Sequence, residues 1–95
     1  MALYLISYDI DEKNKDEYEP LWAFLRKIKA VKILYSEWIV ESPVAQAASI
    51  YNEIAPIIKA NDRLLVQELH AEAAWDKLLI GDDEFKTIVL RAARN

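Results

Sequence analysis

Leu3-Tyr4-Leu5-Ile6-Ser7-Tyr8 carries apolar side chains on both sides of a two-residue period, with Leu3 and Leu5 on one side and Tyr4, Ile6 and Tyr8 on the other. That alternation predicts a β-strand. A strand apolar on both faces is central in its sheet, or its outer face is covered by something else in the molecule. The strand stops at the acidic turn Asp9-Ile10-Asp11-Glu12. The rest of the chain must supply its neighbours from 95 residues in all, which is one domain's worth. With 54% of residues apolar and 11% aromatic, there is material for a core.

The period changes after the turn. Tyr18, Leu21, Trp22, Leu25 and Ile28 recur at three- and four-residue steps, the stripe of an amphipathic helix. Pro20 is tolerated only in a first turn, so the helix starts near Tyr18 or Glu19. Asp16, Glu17 and Glu19 near its start and Arg26, Lys27 and Lys29 near its end all suit the helix dipole. Val31 to Glu41 is β-rich and forms one bent strand or two short ones, with a break near Tyr35-Ser36-Glu37. Ser42-Pro43 reads as the start of a second helix, whose stripe is Val44, Ala47, Tyr51, Ile54 and Ile58. Pro56 predicts a kink or terminal turn there. Arg63 to Leu69 supplies another strand, with Leu64 and Val66 facing opposite to Leu65 and Leu69. Trp75, Leu78 and Leu79 form a short helical stripe stopped by Gly81. Asp82 or Asp83 then caps a last helix carrying Phe85, Ile88 and Val89.

Strand, helix, one or two strands, helix, strand and then helices predict an α+β fold. The expected architecture is a ferredoxin-like split βαβ sandwich (β-α-β-β-α-β) over residues 1–70, with a helical extension of the same domain over 71–95. Helices cover one face of such a sheet and leave the other open. If Tyr4, Ile6 and Tyr8, with Trp38 beside them, lie on the open face, the apolar patch is too large for a monomer, and a two-fold homodimer burying sheet on sheet is expected.

The composition excludes several chemistries. Without cysteine there is no disulfide, thiolate metal site or cysteine nucleophile. One histidine, His70, argues against a histidine-rich metal site or a serine triad, and Ser7 and Ser36 lack a partnering base. One glycine, Gly81, excludes glycine-rich phosphate loops. No run of about 20 apolar residues suggests a membrane span, and Asp9 interrupts the first apolar run, so a cytoplasmic location is expected. The net charge of −4 has the wrong sign for gripping nucleic acid unaided.

Three constellations could still carry chemistry. Asp9 and Asp11 project from a strand end, and hard oxygen ligands of this kind suit Mg²⁺ or Mn²⁺. The competing reading is that they solvate a turn and cap the next helix. Arg26, Lys27, Lys29 and Lys32 concentrate positive charge and could contact phosphates, or could simply neutralise a helix dipole. His70 between Glu68 and Glu72 could bind a metal or move a proton, against the commoner solvated strand-end histidine. Trp22, Trp38 and Trp75 lie in apolar patterns and read as core or interface.

Leu5-Ile6-Ser7-Tyr8-Asp9-Ile10, closing the first strand, is similar to the opening of the small CRISPR-associated adaptation proteins, the ferredoxin-like partner of the CRISPR integrase. The element order resembles that family over residues 1–70. Ser36-Glu37-Trp38 and Asn61-Asp62-Arg63-Leu64-Leu65-Val66 resemble its divergent SinR-like branch. The resemblance implies a homodimer in which Asp9 of each subunit faces its twin. In nuclease members that pair holds a divalent metal which activates water against a phosphodiester. In adaptation the dimer is instead a scaffold for duplex DNA. Asp9 alone carries over as a catalytic and metal residue. Where the family has a basic residue and a glutamine ahead of the strand serine, this chain has Lys32 and then Leu34. Three functions stay open: a metal-dependent nuclease, a toxin-like ribonuclease on the same fold, and a non-catalytic dimeric interaction module.

Overall fold

In a computed structural model, which describes residues 2–10, 17–43, 46–70 and 73–93, the chain builds a four-stranded antiparallel sheet and three helices. Strand β1 spans Ala2–Asp9 and helix α1 Glu19–Lys27; strands β2 and β3 span Val31–Leu34 and Glu37–Ser42. Helix α2 is Ala47–Ile54, strand β4 Arg63–Leu69 and helix α3 Asp82–Ala93. The strand order is β2-β3-β1-β4, so the doubly apolar β1 is central, as its pattern demands. It pairs antiparallel with β3 (Ile6 opposite Trp38) and with β4 (Ile6 opposite Val66). Residues 31–42 form two strands, joined at Tyr35-Ser36, where the break was expected.

Two apolar clusters flank the sheet. On one face Tyr4, Ile6, Tyr8, Trp38 and Val40 pack under Leu21 and Leu25 of α1 and Ile50 and Ile54 of α2. On the other, Leu3, Ile33 and Ile39 pack under Phe85 and Ile88 of α3, with Trp75, Leu78 and Ile80 at the margin. This corrects the expected face assignment. Tyr4, Ile6 and Tyr8 lie beneath the two crossover helices, and α3 covers much of the opposite face, which a dimer was expected to bury. The apolar periodicity of β1 cannot say which face goes where, because both are apolar.

The helix ends also differ in part from expectation. α1 follows Tyr18, with Pro20 tolerated in its first turn. It closes with Lys29 in the left-handed region at φ 63°. There the N–H of Ala30 bonds the carbonyl of Leu25 (2.9 Å) and that of Lys29 the carbonyl of Arg26 (3.0 Å). That is a Schellman closure with lysine where glycine is usual. α2 starts after Gln46 rather than at Ser42-Pro43, and Pro43 lies outside the helix. Val44 and Asp16 lie outside the described residues. Its buried residues are Ile50 and Ile54, while Tyr51 is 46% exposed and so is not part of the stripe. A turn follows α2, as Pro56 required.

Trp75, Leu78 and Leu79 are not helical; their segment runs in bends along the sheet. The reason is tertiary: the Leu79 N–H bonds the Ile33 carbonyl of β2 at 2.9 Å, a partner outside any helix. Gly81 precedes α3 and accepts its first bond, from the Phe85 N–H at 3.1 Å. Trp75 packs edge-on against Phe85, ring centres 4.7 Å apart, and its indole donates to Asp82 at 3.1 Å. Arg91 of α3 grips Glu41 of β3 through Nε at 3.0 and 3.1 Å to the two carboxylate oxygens. That bond holds the guanidinium above its ordinary pKa. No helix among the described residues is long and apolar enough to cross a membrane.

Candidate functional site

Asp9 ends β1, and the strand pairing places it opposite Arg63 at the start of β4. Arg63 Nη1 donates to Asp9 Oδ2 at 3.0 Å, with both side chains largely exposed. Ser7, Leu64 and Leu65 complete a shallow depression of ≈ 350 Å³ around the pair. The carboxylate expected to hold a divalent ion is thus engaged by a cation, whose fixed charge opposes binding of a second cation. An exposed ion pair is weak, roughly 0–1 kcal/mol. Among the described residues this spot offers one carboxylate beside a guanidinium, whereas Mg²⁺ and Mn²⁺ take carboxylates and waters. Asp11, the second expected ligand, lies outside the described residues.

The four candidate phosphate contacts have different surroundings. Arg26 pairs with Glu19 on its own helix. Lys27 is exposed at the end of α1. Lys29 lines a groove beside α3 together with Glu41, Asp83, Glu84 and Arg91, where carboxylates are plentiful. Lys32 lines a different cleft altogether. Their run in sequence straddles a helix end and a strand start, and Lys29 and Lys32 line different clefts. His70 contacts Glu68 at 3.1 Å on an exposed surface, and Glu72 lies outside the described residues.

A second locus was not visible in the sequence as a site. Tyr8, Ile10, Tyr18, Trp22, Lys32, Tyr35 and Ser36 line a cleft of ≈ 360 Å³. Its floor is a hydrogen-bonded hub: the indoles of Trp38 (2.9 Å) and Trp22 (3.2 Å) both donate to the Tyr8 hydroxyl. Beside it the Tyr18 hydroxyl donates to both Asp62 oxygens at 2.8 and 2.9 Å, and the Lys59 backbone N–H also bonds Asp62. The sequence pattern places Trp22 and Trp38 in core or interface, and Trp38 is buried. The missed signal was that Tyr8, Trp22 and Trp38 are all amphipathic aromatics, which when buried must satisfy polar tips on one another.

No protein-family model matches the chain, and no solved structure matches it.

Proposed function

We infer that this chain is a ferredoxin-like protein of the CRISPR-adaptation type that works as a non-catalytic, dimeric interaction module. The observation that favours this reading is the Asp9–Arg63 pair: the one residue the resemblance offers for metal chemistry faces a guanidinium across the strand pairing. The element order β-α-β-β-α-β and the strand order β2-β3-β1-β4 support the architecture. The net charge of −4 and the different surroundings of Arg26, Lys27, Lys29 and Lys32 weigh against a nucleic-acid scaffold.

The dimer in this reading forms along β4. The two sheet edges differ. β2 is four residues long, breaks register between Lys32 and Leu34, and takes a hydrogen bond from Leu79. β4 is seven residues long, pairs with β1 without a break, and bears Leu65 at 52% exposure. Bulges, shortness and covering are how proteins blunt an edge, and β4 lacks the first two. Antiparallel self-pairing centred on Leu65 sets Leu65 against its twin and Leu64 against Val66, keeping apolar with apolar on each face.

The alternative is a Mg²⁺- or Mn²⁺-dependent nuclease, and one screen separates the two. Single- and double-stranded DNA and RNA are incubated with each metal and with wild type, Asp9→Asn or Arg63→Ala. The expected outcome is no cleavage above the protein-free control. Metal-dependent cleavage lost in Asp9→Asn would replace this reading with the nuclease.

A further inference from the structure

We propose that the cleft between the end of β1 and the start of α1 binds a small anion carrying one planar ring. Its chemistry is one-sided. The Tyr8 hydroxyl accepts hydrogen bonds from two indoles, so both lone pairs are committed and only its proton remains to offer a ligand. Tyr8 is 6% exposed, so that unspent donor sits at the floor of the cleft rather than in bulk water. The Tyr18 hydroxyl proton is already given to Asp62 and is not offered to a ligand.

Lys32 is the second donor. It is half-buried, and no carboxylate among the described residues pairs with it; its ammonium instead stands 5.8 Å from the centre of the Tyr35 ring. The Ser36 side chain adds a hydroxyl that can donate or accept. Among the described residues, the polar groups offered to a ligand are therefore a cation, a phenol proton and a hydroxyl, which together favour negative charge. The rings that reach the cleft surface are the half-buried Trp22 and the exposed Tyr35, with Tyr18 buried behind them and Ile10 closing one side. Such walls stack on a planar ring, and ≈ 360 Å³ falls within the range of small-ligand sites, about 300–1,000 Å³. The chemistry is shared by nucleoside monophosphates and aromatic carboxylates. It does not involve Asp9 and stands whether or not the protein cuts nucleic acid.

The test is a titration of the full chain, followed by tryptophan fluorescence and by the indole N–H resonances of Trp22 and Trp38. The probes are adenosine 5′-monophosphate, benzoate, uncharged adenosine and inorganic phosphate. Expected are saturable quenching and shifts of both indole resonances with the monophosphate, with benzoate, or with both; which one binds identifies the source. Adenosine and phosphate should bind at least tenfold more weakly. Lys32→Gln should weaken the ring-bearing anion at least tenfold with an unchanged melting temperature, and Lys32→Arg should restore most of it. No saturation by either ring-bearing anion at millimolar concentration overturns the proposal. So does equal binding of adenosine, equal binding of phosphate, or a Lys32→Gln variant that binds like wild type.

Discussion

Tyr8 holds two indole N–H groups on one oxygen. Tyr8→Phe keeps the ring but strands the buried Trp38 donor, and an orphaned buried donor costs about 1–3 kcal/mol. Urea denaturation should show that loss, and an unchanged midpoint would mean that water or rearrangement satisfies Trp38. Lys29 tells the opposite story, because a lysine at φ 63° accepts backbone strain that glycine would not. Lys29→Gly should therefore stabilise the protein by about 0.5–1 kcal/mol, read from the same denaturation curve. A loss of stability would show that the Lys29 side chain contributes more than its backbone costs. Arg91 keeps its charge throughout the ordinary pH range, since its pKa is raised, not lowered, by Glu41. Its contribution is present below its unfolded pKa and lost only in strong base, so salt is the useful variable. Arg91→Ala should lower the melting temperature in dilute buffer, by an amount that shrinks in 1 M salt.

Among the elements, α1, β4 and α3 were legible because each shows one clear period or a regular alternation. α2 was legible only in its interior: Ser42-Pro43 is a good N-terminal signal, yet the strand β3 takes Ser42 for itself, opposite Ala2. The span Trp75 to Leu79 failed for a related reason. Its apolar spacing suits a helix, but the free edge of β2 takes the Leu79 N–H instead, a tertiary demand no local window can display. The cleft was illegible because its lining is drawn from three separate elements and a turn, while Asp9 was legible as a position but not as half of an ion pair with Arg63. The edge of β4 supplies the test at this scale. Wild type should sediment as a dimer at micromolar concentration, and Leu65→Lys should shift it to monomer with the melting temperature of the isolated fold retained. A monomeric wild type removes the edge argument.

At the scale of the molecule, the decisive arrangement is that α3 covers the face of β1 that the crossover helices leave bare. Deleting residues 71–95 should expose Leu3, Ile33 and Ile39, giving a species that binds a hydrophobic dye and aggregates. A truncated chain that melts like wild type would show that the second cluster adds little. Phe85→Ala is the milder version and should cost about 3–5 kcal/mol. The same arrangement also governs how the protein comes into being. β1 and α3 stand near opposite ends of the sequence, so a nascent chain exposes Leu3 and Leu5 long before their cover is made. At roughly 5–20 residues per second, that interval is on the order of ten seconds on the ribosome. Until α3 is made, that face of the half-built sheet stands without its cover.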